Sequence, residues 1–211
     1  AAKLDATLAA EKDARVKAEE LHKGRLKAAK KLAEKALAQL AGLGLGAARL
    51  SVCVEWEDES LGPTGADRGE FLLAANPGEP MRPLRSVASG GELSRVMLAL
   101  KTALAEADRV GTLVFDEVDA GVGGAVGAAV GERLAALGAR RQVLVVTHLP
   151  QVACRAARHF EVAKAVKGGR TQTMVEALTG QNRVEALARM LGGKAVTEAS
   201  RRHAKELLET P

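Results

Sequence analysis

Apolar and polar positions follow different rules in different parts of the chain. Residues 1 to about 41 are built from Ala, Lys, Glu and Leu, with no Pro and a single Gly, Gly24. That composition predicts one long helix. Leu26, Ala29, Ala33, Ala36 and Leu40 recur at spacings of three and four, a coiled-coil seam, whereas the first half of the segment does not keep that phase. Such a helix extends ~60 Å at 1.5 Å per residue, more than a small domain covers. No other segment matches it in length, so the pattern predicts a partner helix outside this sequence.

The run Ala41-Gly42-Leu43-Gly44-Leu45-Gly46 breaks the helix. Arg49–Trp56 and Glu70–Ala75 then read as two strands around a Gly/Pro-containing loop, and Asn76-Pro77-Gly78-Glu79-Pro80 as a turn. A helix over about Gly90–Ala107 places Leu93, Val96, Met97, Leu100 and Leu104 on its apolar face. Thr112–Phe115 and Gln142–Thr147 are short and continuously apolar, the pattern of fully buried strands. The helical segment between them, about Gly124–Leu137, makes a β-α-β unit and predicts parallel strands with a right-handed crossover. Phe160–Val166 and Thr171–Leu178 flank Lys167-Gly168-Gly169-Arg170 as a hairpin, and helices over about Asn182–Leu191 and Thr197–Leu208 follow.

Composition narrows the function classes. The 211 residues, 47% hydrophobic, suffice for one core with a small accessory element and argue against wholesale disorder. No apolar stretch approaches the ~20 residues of a membrane span, and no basic-then-apolar leader is present. The start Ala1-Ala2-Lys3 leads us to expect a piece cut from a longer protein. Cys53 and Cys154 show no metal-ligand spacing and read as buried, reduced thiols. One Trp, no Tyr and three Phe leave few platforms for stacking bases.

The net charge of +5 is carried mostly by residues 1–41, where ten Lys/Arg face six Asp/Glu. Lys23, Arg25, Lys27, Lys30, Lys31 and Lys35 crowd about thirteen positions that hold one acid, Glu34. Such a stripe suits sequence-independent, salt-sensitive contact with a phosphate backbone; it equally suits a solvated helix face.

Three places can carry chemistry. Asp116-Glu117 end the strand Thr112–Phe115, at the edge where open α/β sheets bind ligands. Adjacent acids on an extended backbone point opposite ways, so one can hold a hydrated Mg²⁺ while the other faces an attacking water; a turn-capping pair is the plainer reading. Ser89 and Glu92 have capping-box spacing around Gly90 and Gly91, which makes a well-capped helix and also offers open N–H groups to a phosphate. His148 follows the strand Gln142–Thr147 and lies at the same edge as the acids if the strands are parallel. It is then placed to hydrogen-bond a phosphate oxygen or the attacking water, or it is a structural histidine.

The order is more specific than its parts: SGGELSR, about twenty residues to LVFDE, then Asp119-Ala120-Gly121, then about thirty to a strand ending in Thr147-His148. This resembles the second half of an ABC-type ATPase, with signature motif, Walker B, D-loop and H-loop in sequence. Glu in SGGE and a coil upstream resemble the SMC-like DNA-repair and chromosome ATPases more than transporter subunits. The segments FLLAANPGEPMRPLRSVASGGELSRVMLALK, FDEVDAGVGG, VTHLPQVA and ALARMLGG resemble the RecN family of bacterial double-strand-break repair proteins.

The resemblance implies an α/β fold. Residues 42–211 would be the carboxy-terminal half of an ATPase head, a parallel-strand core with flanking helices and antiparallel β elements, and residues 1–41 a returning coiled-coil arm. It implies ATP and Mg²⁺ as cofactors, with Asp116 holding the metal through water, Glu117 as general base and His148 sensing the γ-phosphate. Ser89, Gly90, Gly91 and Glu92 would clasp ATP bound to a second head, in trans, and Asp119 would face that head. There is no G-x-x-x-x-G-K-[ST] in the sequence. In the family that loop lies before the coil, so the expected partners are the amino-terminal half of the same protein, a second copy, and double-stranded DNA or DNA ends. The expected setting is the bacterial cytoplasm, at the nucleoid, and the alternative to a motor is an ATP-gated DNA clamp.

Overall fold

The computed structural model describes residues 2–167, 170–192 and 195–209. By their contacts the residues form two compact units, Ala1–Asp108 and Arg109–Pro211, each described by itself.

The first unit begins with helix α1, Ala2–Leu40. Ala18, Ala29, Ala33, Ala36 and Leu40 are buried, while Leu4, Leu8, Val16, Leu21 and Leu26 are exposed. The seam is therefore filled from Ala29 onward, where α1 packs on strand β1 (Arg49–Trp56) and helix α2 (Gly90–Ala103). Leu26, which its spacing assigned to that seam, lies outside it. A short 3-10 turn, Ala41–Leu43, ends α1, and Gly44 takes the left-handed φ of 75° that reverses the chain.

Strand β1 pairs antiparallel with β2 (Asp67–Ala74), from Arg49 opposite Ala74 to Trp56 opposite Asp67. The ladder starts three residues before the sequence pattern suggests because Glu57 N–H donates to the Ala66 carbonyl (2.8 Å) and closes the loop. The two-residue strand β3, Arg82–Pro83, extends the sheet beside β2. Helix α2 stops at Ala103 rather than Ala107, and its packing buries Leu98 completely while Met97 lies partly outside.

A polar lashing joins α1 to the hairpin. Asp67, whose carboxylate is 3% exposed, takes His22 Nδ1 at 2.5 Å and Arg25 Nη1 at 2.9 Å, and Arg25 Nη2 donates to the Thr64 carbonyl. Arg15 pairs with Asp58, which also accepts from Trp56 Nε1, and His22 stands edge-on to Trp56. Burial alone would raise the Asp67 pKa, but the hydrogen bonds from Arg25 and His22 outweigh it and hold the carboxyl below the usual range.

The second unit opens with strand β4 (Thr112–Phe115), helix α3 (Gly124–Gly138) and strand β5 (Gln142–Val145). β4 and β5 are parallel, Thr112 opposite Gln142 and Phe115 opposite Val145. They are not buried on both faces: Leu113 and Phe115 point inward, whereas Val114, Leu144 and Val146 are exposed. The reason is that a two-stranded parallel sheet here has one covered face, so half of its apolar side chains meet solvent.

Helix α4, Pro150–Ala153, is a single turn with no periodic signal in the sequence. Helix α3 lies directly on it. A Cβ at Gly131 would meet the Gln151 carbonyl oxygen at 2.7 Å, and one at Gly127 the Leu149 side chain at 2.9 Å. Strands β6 (His159–Lys167) and β7 (Arg170–Leu178) form an antiparallel hairpin whose Gly168-Gly169 turn lies outside the described residues. Helices α5 (Gly180–Gly192) and α6 (Glu198–Glu209) pack with α4 around Ala153, Val184, Leu187, Ala188 and Ala204. Thr197 and Ser200 cap α6 reciprocally, each hydroxyl taking the other's backbone N–H. Among the described residues no helix is long and apolar enough to cross a membrane, and both cysteines are free and partly buried.

Candidate functional site

The parallel pairing puts the carboxyl ends of β4 and β5 side by side, and Val146 N–H donates to the Phe115 carbonyl to extend the ladder by one step. Asp116-Glu117 and Thr147-His148 consequently leave the sheet at the same edge. The acids do not alternate as an extended backbone would require. Glu117 has φ 56°, the only non-glycine with positive φ among the described residues, and this left-handed step leaves both Asp116 and Glu117 exposed. Asp116 Oδ1 accepts the Glu117 N–H at 2.9 Å, and the Glu117 carbonyl accepts from Ala120 N–H at 3.0 Å. A strained backbone at a polar sheet edge is typical of sites that aim a side chain.

Val118 and Asp119 turn the other way and are buried. The carboxylate of Asp119 points into its own chain. Oδ2 accepts from the Thr147 hydroxyl, from His148 N–H (3.0 Å) and from Leu149 N–H (3.2 Å), with His148 Nδ1 also 3.2 Å away. The physical reason is that three donors at the start of α4 need an acceptor, and a carboxylate is the strongest one in reach. The imidazole of His148 stays 70% exposed.

Among the described residues no three acidic, histidine or cysteine side chains converge as a metal cage. Mg²⁺ does not need one: it keeps much of its water and is commonly held by one or two carboxylates and substrate phosphates. The exposed Asp116, a hard oxygen donor at the sheet edge, fits that mode.

In the other unit, Ser89 is the N-cap of α2 and accepts Glu92 N–H at 3.3 Å. Ser89 and Gly90 are exposed, Gly91 is buried and Glu92 half-buried. A cavity of about 330 Å³ lies beside them, lined among others by Asn76, Arg82 and Ser86, a neighbourhood that only the folding of β2 onto β3 creates. On α1, Lys23, Lys27, Lys30, Lys31 and Lys35 are exposed. Arg25 is not part of that stripe, because its guanidinium is engaged by Asp67 and Thr64.

No family model matches the chain. Individual relatives do. A DNA repair protein RecN from Streptomyces coelicolor is 46% identical over 204 residues, 92% of this chain and 36% of the relative. RecN from Xylella fastidiosa is 46% identical over 193 residues (91% and 35%), and RecN from Deinococcus radiodurans 48% over 190 (89% and 33%). Among solved structures, the Smc head domain with a coiled coil and joint from Pyrococcus yayanosii superposes with a TM-score of 0.57 at 18% identity, over 81% of this chain and 30% of that one. The Smc head domain with an extended coiled coil bound to the C-terminal domain of ScpA, from Pyrococcus furiosus, gives 0.51 at 15% identity, over 75% and 38%. These two show a shared fold. The sequence match says more, since it holds at 46% identity along nearly the whole chain: the chain belongs to the RecN family, to which it aligns over about nine-tenths of its own length and about a third of theirs.

Proposed function

We propose that this chain is part of the ATP-binding and ATP-hydrolysing head of a RecN-type protein acting in bacterial DNA double-strand-break repair, in the cytoplasm at the nucleoid. The observation that carries the reading is the meeting of Asp116, Glu117 and His148 at one edge of a parallel strand pair, in a chain whose relatives are RecN proteins. Bound at Asp116, Mg²⁺ would neutralise charge on the phosphate oxygens. Glu117, held exposed by its left-handed backbone, orients the attacking water and takes its proton. His148 donates to the γ-phosphate. Ser89, Gly90, Gly91 and Glu92 present N–H groups and a hydroxyl to ATP carried by a second head, so turnover requires a homodimer. Residues 1–41 act as the arm and 42–211 as the head portion.

The sheet supports a further partner. Val114, Leu144 and Val146 leave one face of β4–β5 uncovered, whereas parallel sheets are ordinarily covered on both. The rest of the protein, which supplies the phosphate-cradling loop, covers that face. By itself the chain should then bind ATP weakly and hydrolyse it negligibly. In the complete protein, DNA contact on the lysine face of α1 stimulates turnover.

The test is Glu117→Gln in the complete protein, with ATPase measured with and without double-stranded DNA. A loss of about 100-fold or more with ATP binding retained is expected for removal of a general base; unchanged hydrolysis excludes the assignment. Repair assayed in cells with the same variant separates a motor, which fails, from an ATP-gated clamp, which still works.

A further inference from the structure

The turn that carries His148 is gripped at both ends by charged side chains of its own chain. At its start lies Asp119, buried, with Thr147 Oγ1, His148 N–H and Leu149 N–H converging on one carboxylate oxygen. At its finish lies Arg183, on α5. Its Nη2 reaches the carbonyls of Ala153 (3.5 Å), Cys154 (3.0 Å) and Ala156 (2.6 Å) at the carboxyl end of α4, where carbonyls run short of backbone N–H partners. The signs are right for the peptide dipoles between them, an anion at the N–H end and a cation at the C=O end. The glycine face of α3 closes a third side, with Gly131 against the backbone of Gln151 and Val152. Arg183 is in turn anchored, because its neighbours Val184 and Leu187 lie in the core that α4 shares with α5 and α6. Within this turn the His148 imidazole remains largely in solvent.

We propose that Asp119 and Arg183 are positioning residues for His148, fixing from within one chain the turn that presents its imidazole. The proposal rests on the ATPase reading above. The Asp119 carboxylate is buried and takes its three donors from its own chain, so moving it uncaps the start of α4. Nothing about Arg183 could be read from its place in the sequence, since it is one of two arginines on an amphipathic helix.

The experiment uses the complete protein with ATP, Mg²⁺ and double-stranded DNA, comparing Arg183→Met and Thr147→Val in the native and His148→Ala backgrounds. Thr147→Val removes a donor to Asp119 without touching the carboxylate. Each single variant is expected to lower kcat about ten- to hundredfold, as small misplacements of a catalytic group do, with the KM for ATP nearly unchanged. In the His148→Ala background neither is expected to lower kcat further, because residues acting through a third lose their effect when it is gone. Arg183→Lys, which keeps the charge, should recover part of the rate and stands in if Arg183→Met does not fold. An equal loss in both backgrounds shows a general structural role and overturns the proposal, as does a His148→Ala protein with native turnover. So does an Asp119→Asn variant that no longer associates head-to-head with ATP, since that places Asp119 at the partner. Undiminished hydrolysis by Glu117→Gln removes the ATPase reading itself, while additive Arg183 effects beside an inactive Glu117→Gln remove this proposal alone.

Discussion

Glu117 spends backbone energy to stand where it does. A non-glycine residue at φ 56° lies in the left-handed region, which costs L-residues roughly 1–2 kcal/mol. Its neighbours hold it there, through Asp116 Oδ1 on its N–H and Ala120 N–H on its carbonyl. Glycine has no such penalty. We therefore expect Glu117→Gly to be about 1 kcal/mol more stable than Glu117→Ala, although glycine loses more chain entropy on folding, with hydrolysis lost in both. Urea titration of the two variants measures the difference, and equal midpoints would mean that no strain is stored. The left-handed step was not legible in the sequence, since a φφφDE run is equally consistent with an extended pair. The acids' location at a strand end was legible, because a four-residue apolar run followed by two charges has few other solutions.

At the level of elements, periodicity was informative where an element was long enough to show a period. α1, β1, α3 and the β6–β7 strands start and stop within a residue or two of where the pattern put them. α4 has four residues and could leave no such trace. The apolar runs of β4 and β5 predicted strands correctly and burial incorrectly, because a pattern records what a strand is suited to meet, and this chain covers one face only. Arg25 looked like its basic neighbours until Asp67, forty-two positions away, was brought beside it. Gly131→Ala should cost about 1–3 kcal/mol by pushing α3 off the α4 backbone, whereas Gly138→Ala, with nothing near its added carbon, should be neutral within about 1 kcal/mol. Thermal melts of the pair test this. For the exposed lysines of α1, replacing Lys27, Lys30 and Lys31 by Gln should weaken DNA binding of the complete protein. The slope of log affinity against log salt should fall by up to about 3. Binding unchanged at low and moderate salt would show that the lysines only solvate the helix.

For the molecule as a whole, the unfilled part of the pattern is itself informative. Val114, Leu144 and Val146 on the sheet, with Leu4, Leu8 and Val16 on α1, are apolar positions that this chain leaves in water. On the proposed reading, a single addition, the remainder of the protein, covers the sheet face. Amide hydrogen exchange in β4 and β5 should accordingly slow by at least about tenfold when the amino-terminal portion is supplied, as expected when local opening becomes costlier. Protection that does not change would separate the exposed face from any missing layer.

The lashing of α1 has a mechanical meaning. Arg15, His22 and Arg25 tie the helix to the β1–β2 hairpin, and Ala29 to Leu40 seat it beside α2, whose first turn begins after Ser89. Held at so many points, α1 cannot swivel apart from the ground it stands on. It works as a pointer on a dial: a 5° tilt of that base, hardly visible at Ser89, sweeps the tip at Ala2 through about 4 Å, given ~1.5 Å per residue over the ~30 residues from Ala33.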